Sequence, residues 1–377
     1  LYWLKVHVAT CYGFDKANFD TRAAWVDKNM HEIRLAVSEG IDSEFFLAAD
    51  SPWCFLAAAK DFLEAMDSKH PEQYISHIPV AMDATCSGLQ VLSALLRDPV
   101  GGMMVNLLPN NGVEKEDIYA GVAAIAISNV QKDTENPELS AYWLTSGIPR
   151  SMAKRPVMTY VYGGTLISSS DYVRAEMKER GMEAIEGYSE HKLSMYAARH
   201  LRRGVETAVP AAAECMRFLR TLAGSMPDTE PLRWITPVGF PVCHHYGSTE
   251  VKRLNLPGIG IQVSFKSYND DVMDRKHSMN GISPNFVHSL DSAHLVSVIN
   301  NFEGSITPIH DSFATHAADV DEMHRVLRDR FVWLHKNNAP LQQLIDCVEK
   351  HTGVKLPHPT LGTLDIDKVK ESKFFMC

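Results

Sequence analysis

Arg150, Lys154, Met158 and Tyr162 recur at an interval of four, a period that commits the segment to a helix with one distinctive face. At a rise of about 1.5 Å per residue the four positions form a slowly drifting stripe roughly 18 Å long. The stripe runs from two cations through a flexible apolar side chain to a phenol, and Gly163-Gly164 then ends the helix. A triphosphate, a sugar and a flat base would meet those chemistries in that order. The other reading is an ordinary helix with solvated basic residues, and the stripe alone does not choose between them.

The rest of the chain narrows the choice. Ile78 to Met82 reads as a buried strand arriving at Asp83, and Ser87 to Leu96 as the helix leaving it. A second strand, centred on Ile309, carries His310-Asp311. Helices are expected at Asp20 to Ser38, from Ser51-Pro52, at Glu114 to Gln131, from Ser283-Pro284 to Asn300, at Val320 to His335 and at Leu341 to His351. Tyr188 to Leu222 is helical in pattern, with Pro210 placed to split it. Thr134 to Ser140 reads as a polar connection, Arg233 to Tyr246 as a hairpin, and Val251 to Phe265 as strands separated by Pro257 to Gly260.

At 377 residues, 45% hydrophobic and 22% charged, the chain suits a globular protein of two or three domains. No apolar run approaches the roughly 18 residues of a membrane span. Leu1 is not a start methionine, and the opening in hydrophobic sequence suggests that the natural beginning is missing. Seven scattered cysteines without a Cys-x-x-Cys pair point to reduced thiols rather than zinc or disulfides. Cys243-His244-His245 is a poor metal site, because neighbours on a strand face opposite ways. The net charge of −9 argues mildly against nucleic acid, yet Arg150 to Arg155 holds three cations and no acid.

A carboxylate at the end of a buried strand is costly to ionise without a cation. Asp83 and Asp311 side by side would repel, unless magnesium sat between them. Alone, each is a turn or capping residue by default, and His310-Asp311 could also suggest a metal phosphohydrolase. Together with the stripe they describe phosphoryl transfer, with two metals about 4 Å apart activating a hydroxyl and stabilising the leaving oxygen. Lys154 would neutralise the phosphate nearest the reacting centre and protonate the leaving group. Arg150 would hold the outer phosphates, and Tyr162 would meet base and sugar.

At these residues the sequence resembles the single-subunit RNA polymerases of bacteriophages and mitochondria. Asp83-Ala84-Thr85-Cys86-Ser87-Gly88-Leu89-Gln90 is similar to their first catalytic motif. Arg150-x-x-x-Lys154-Arg155-x-x-Met158-x-x-x-Tyr162-Gly163 is similar to the second, and Ile309 to Phe313 to the third. Asn106 to Pro109, Asp117 to Tyr119, Pro284 to Ser289 and the opening Leu1 to Lys5 resemble the phage branch. The resemblance implies an α+β right-hand polymerase, with an antiparallel palm and mostly helical fingers, lacking the N-terminal domain and thumb. Residues 1–96 would begin the palm. Residues 97–282 would form the fingers, including a promoter-reading hairpin at about 231–263. Residues 283–377 would hold the fingers–palm helix, the rest of the palm and a C-terminal foot. It further implies two Mg2+ ions on Asp83 and Asp311, with the Ala84 carbonyl assisting. Arg150 and Lys154 would be triphosphate ligands, with Lys16 and Tyr119 as weaker matches, and Tyr162 and His288 would lie at ribose and base. The implied partners are a DNA template and promoter, ribonucleoside triphosphates and the RNA product. A monomer in the cytoplasm of an infected bacterial host is expected before an organelle enzyme, with no membrane partner.

Related DNA polymerases carry a glutamate five residues beyond the first aspartate, where it would crowd a 2′-hydroxyl. Gly88 stands there and has no side chain to clash. Tyr162 and His288 can then offer polar partners to the hydroxyl that distinguishes RNA. Arg253 and Asn255 match the family's base-reading positions, and arginine commonly pairs with guanine and asparagine with adenine. A plain phosphate contact is the alternative for Arg253. The rival functions are a related DNA polymerase, disfavoured by Gly88, and a non-catalytic nucleic-acid-binding fragment.

Overall fold

The computed structural model describes all residues except 111–113, 257, 259, 337 and 338. It is α+β: helices predominate, and the strands form small antiparallel sheets. The chain opens with α1 (Tyr2–Tyr12), α2 (Phe19–Lys28), α3 (Met30–Glu39), α4 (Glu44–Leu47) and α5 (Pro52–Asp67), then β1 (Val80–Asp83). Patterning did not show α1, because Trp3, Leu4, Val6, Val8 and Ala9 are buried around most of its circumference. The single helix expected from Asp20 to Ser38 is two: Asn29 ends α2, donating its backbone N–H to the Trp25 carbonyl.

Next come α6 (Ser87–Leu95), α7 (Pro99–Met104), α8 (Ile118–Gln131), α9 (Pro137–Ser146), α10 (Arg150–Tyr160) and α11 (Leu166–Glu179). The polar connection expected at Thr134 to Ser140 gives way to α9. Pro137 occupies its first turn, and the one-turn pair Leu139 and Trp143 is buried, with the Trp143 indole donating to the Leu193 carbonyl at 3.1 Å. Pro210 divides α12 (Glu190–Ala208) from α13 (Pro210–Ser225), as its missing N–H requires. The hairpin is β2 (Leu232–Ile235) with β3 (Pro241–His244). The following strands form one long ribbon, β4 (Gly247–Leu256) with β5 (Ile261–Met273), whose expected separators Pro257 and Ile259 lie outside the described residues.

The chain closes through α14 (Arg275–Ile299), β6 (Ile306–Ile309), β7 (Ser312–Thr315), α15 (Val320–His335) and α16 (Ala339–Thr352). Pro284 does not open a helix as expected but lies inside α14. It cannot donate to the Asn280 carbonyl one turn back, and Gly163 packs against that freed oxygen, which lies 3.2 Å from where a Cβ would stand. Ser283 meanwhile donates to the Val161 carbonyl at 2.8 Å, so α14 grips the end of α10.

One sheet organises the site. Its order is β1-β7-β6, antiparallel throughout. Behind it His294 packs edge-on against Phe313, Phe331 and Phe375 and hydrogen-bonds the Leu327 carbonyl at 2.9 Å. The final residues return to the same place: Met376 bridges Ala84, and Cys377 N–H donates to the Asp83 carbonyl at 2.9 Å.

Candidate active site

Asp83 ends β1 opposite Ser312, the first residue of β7, so Asp311 stands next to it across the sheet. Asp311 does not end a strand as expected. With His310 it forms the two-residue turn between β6 and β7, where Ile309 pairs with Ser312. His310 has φ 56, the left-handed first position that primed hairpin turns require. Asp83 meets the water of an open cavity but is enclosed by protein on most sides. That enclosure and then the charge of Asp311 push its carboxyl up to about 6, against the opposing pull of Lys115 and Lys154.

Facing the pair, α10 buries Met152, Ala153, Pro156, Val157 and Tyr160 and turns Arg150, Lys154 and Met158 outward. All three line a cavity of about 320 Å³ with Asp83, Ala84 and Asp311. Arg150 is oriented from two sides. Its Nε donates to Asp117, and its guanidinium lies 5.2 Å from the centre of the Tyr119 ring. Asp117 also caps α8, accepting from the Tyr119 and Ala120 N–H groups at 3.0 and 3.2 Å. Lys16 reaches the same cavity and pairs with Asp15 at 2.6 Å.

Lys115 is a cation that pattern reasoning missed. Its side chain is only 12% exposed, lies 3.7 Å from Asp15 and lines the cavity. The one available signal was its place next to the Asp117-Ile118-Tyr119 motif. Because Asp117 does two jobs, Asp117→Ala should cost about 1 kcal/mol in chemical denaturation through the lost cap. With Arg150 as the triphosphate ligand expected from the sequence, it should also weaken that binding by about tenfold through a loosened Arg150. Unchanged nucleotide affinity in a titration would show that Asp117 does not orient Arg150.

Tyr162 lies beyond the helix that the four-residue period predicted. α10 ends at Tyr160, and Gly163 at φ 78 turns the chain so that Gly164 N–H bonds the Thr159 carbonyl at 2.8 Å. The turn swings the phenol into a neighbouring cavity of about 450 Å³, lined also by Met158, His288, Asp291 and Asp311. There the Tyr162 and His288 rings stack with centres 4.7 Å apart. A Cβ on Gly88 would stand 2.6 Å from a Val161 methyl and 3.1 Å from the Tyr162 hydroxyl. Asp291 was not anticipated. Burial, then Asp311, pushes its carboxyl up to about 7.

Arg253 and Asn255 line neither cavity. They lie on β4 and share one face of the ribbon with their cross-strand partners Ser264 and Gln262. Gln262 donates to the Asn255 side-chain oxygen at 2.9 Å. His244 is buried against the Ser278 carbonyl, whereas His245 meets the Asp270 carbonyl. A larger cleft, about 710 Å³, lies beside α12 at Arg199, His200 and Arg203. It contains none of the candidate residues, and its Asp133 already accepts from Tyr196 at 2.8 Å.

Over residues 1–356 the sequence matches the DNA-dependent RNA polymerase family. The chain belongs to that family. The DNA-directed RNA polymerase of Pseudomonas phage phiKMV is 38% identical over 389 aligned positions, covering 100% of this chain and 47% of that protein. That of Enterobacteria phage T3 is 31% identical, covering 99% and 48%. The mitochondrial DNA-directed RNA polymerase 1 of Arabidopsis thaliana is 33% identical, covering 100% and 39%. The chain thus spans about half the length, or less, of these curated relatives. For a polymerase-family chain the donor set at the sheet end fits a hard divalent cation. Asp83 and Asp311 supply carboxylates, and the Ala84 carbonyl beside them accepts one bond, from Cys86 N–H at 3.1 Å, leaving a second lone pair. Among the described residues no three His, Cys, Asp or Glu side chains converge into a metal cluster, so phosphate and water oxygens would complete the coordination. Among the same residues no helix is long and apolar enough to cross a membrane.

Proposed function

We propose that this chain carries the palm and fingers of a single-subunit RNA polymerase and catalyses template-directed RNA synthesis from ribonucleoside triphosphates on DNA. Residues 1–96 begin the palm, 97–282 form the fingers, and 283–377 supply the fingers–palm helix, the rest of the palm and a C-terminal foot. The observation that carries the reading is the pairing of Asp83 with Ser312, which sets two carboxylates from distant parts of the chain across a cavity from Arg150 and Lys154.

In the reaction the 3′-oxygen of the growing strand bonds to the α-phosphorus, and the bond to the departing pyrophosphate breaks. Asp83, Asp311 and the Ala84 carbonyl would hold two magnesium ions, which would acidify the attacking hydroxyl and offset charge on the leaving oxygen. Lys154 neutralises the phosphate nearest the reacting centre and gives a proton to the leaving pyrophosphate. Arg150, set by Asp117 and Tyr119, grips the outer phosphates with help from Lys16. Met158 lines the space between the phosphate and sugar sites, Tyr162 and His288 receive the ribose and the base-proximal edge, and the bare Cα of Gly88 leaves room for a 2′-hydroxyl. Arg253 and Asn255, displayed on the exposed ribbon, read guanine and adenine edges of promoter DNA. The enzyme is read as a monomer, and the 38% identity to the phage phiKMV polymerase supports its working in the cytoplasm of an infected bacterium.

Extension of a primed DNA template, with ribo- or deoxyribonucleoside triphosphates and with or without magnesium, tests the reading. Magnesium-dependent addition of ribonucleotides is the expected result. Preferential deoxyribonucleotide addition would make the chain a DNA polymerase, and binding without extension would make it a non-catalytic fragment.

A further inference from the structure

Asp291 is a carboxylate in search of a role. Among the described residues it has no cationic partner, and the hydrogen-bond contact of its side chain is with the Ser87 hydroxyl, 3.4 Å from Oδ2. Ser87 is itself buried, and its hydroxyl lies 3.5 Å from that of Tyr162. Both distances are long for hydroxyl hydrogen bonds, as contacts of catalytic groups often are before substrate closes the site. Asp291 also follows His288 by three residues on α14, so both project from the same helix face. That face therefore addresses Tyr162 twice, at its ring through the His288 stack and at its hydroxyl through Ser87.

We propose that Asp291 is a positioning residue for sugar selection, acting on Tyr162 through the Ser87 hydroxyl. The proposal rests on the polymerase reading above. Its chemistry is the direction of a hydrogen-bond chain. An ionised carboxylate only accepts, so the Ser87 proton points to Asp291, and the Ser87 oxygen then accepts the Tyr162 proton. The phenol oxygen is left with lone pairs only, turned towards the cavity where Gly88 makes room. A ribose 2′-hydroxyl can donate to that oxygen, and deoxyribose has nothing to donate. Without Asp291 the Tyr162 proton is free to point into the cavity, and the preference for a donor in the substrate is lost.

The test is a double-mutant cycle read as the ratio of kcat/KM for ribo- over deoxyribonucleotide, run on the alkaline side of the Asp291 titration. Asp291→Asn, whose amide can donate to Ser87 and disorder the chain, should lower the ratio about five- to tenfold, as expected for one hydrogen bond. Ser87→Ala, which leaves Asp291 and Tyr162 in place, should lower it by a similar factor and stands in if the asparagine variant folds poorly. In a Tyr162→Phe background neither change should lower the ratio further. Equal losses for both nucleotides, or the same drop with Phe at 162, would assign Asp291 a purely structural role and overturn the relay. A parent protein that adds no ribonucleotide sinks the polymerase reading and the relay with it, whereas a working polymerase with an unmoved ratio sinks the relay alone.

Discussion

Asp311→Asn is expected to lower nucleotide addition by at least about a thousand-fold, equivalent to about 4 kcal/mol in the barrier, without changing the fold. The amide has the same shape as the carboxylate, and the turn geometry is set by His310 and by the Ile309–Ser312 pair rather than by charge. What disappears is one of the site's two carboxylates, the one beside Asp83. A stability signature should accompany the loss. The Asp83 carboxyl is held up at about 6, above its unfolded value, so the associated stability is present at low pH and is lost as pH rises through about 6. Asp311 supplies part of that elevation. In chelator, the melting temperature of the asparagine variant should therefore rise relative to the parent between about pH 4 and pH 6 and stay above it, with no further divergence, at higher pH. Activity within tenfold of the parent would remove Asp311 from the reacting centre, and parallel melting curves would mean that the two carboxylates do not sense each other.

The second large effect is expected from Gly88→Glu. A Cβ there would stand 2.6 Å from a methyl of the fully buried Val161 and 3.1 Å from the Tyr162 hydroxyl, so even an alanine needs its neighbours to shift. Overpacking of that kind costs about 1–3 kcal/mol. Glutamate adds a second unpaired carboxylate near Asp291, in space that the proposed reaction reserves for a ribose hydroxyl. Ribonucleotide addition should fall about a hundredfold or more relative to deoxyribonucleotide addition, roughly 3 kcal/mol of discrimination. Gly88→Ala separates the two contributions, because it brings the steric cost without the charge. A folded glutamate variant that still prefers ribonucleotides would show that residue 88 does not face the sugar.

Much of the site was legible in residue order because its parts are local. The four-residue spacing of Arg150, Lys154 and Met158 is a property of one helix, and those three side chains do share a face towards the cavity. Asp83 at a strand end, the break at Pro210 and the Arg233 to Tyr246 hairpin likewise follow from short-range rules. Errors arose where a distant segment settled the local structure. Tyr162 leaves the helix because Gly163 must pass close to a carbonyl of α14. Pro284 sits within α14 because the bond it forfeits is absorbed by that same contact. Residues 137–146 are helical because Trp143 finds a buried partner on α12.

The amino-acid order by itself determined which chemistry the protein carries: two acids beside apolar strands, a cationic helix face, and a glycine where a larger side chain would collide. Only the tertiary structure decided that the acids become neighbours, that Lys115 joins their field and that Asp291 reaches Tyr162 through Ser87. Side-chain type and helical period are encoded within a few residues. Antiparallel pairing of β1 with β7 depends instead on the packing of the whole core behind the sheet, which no local window contains.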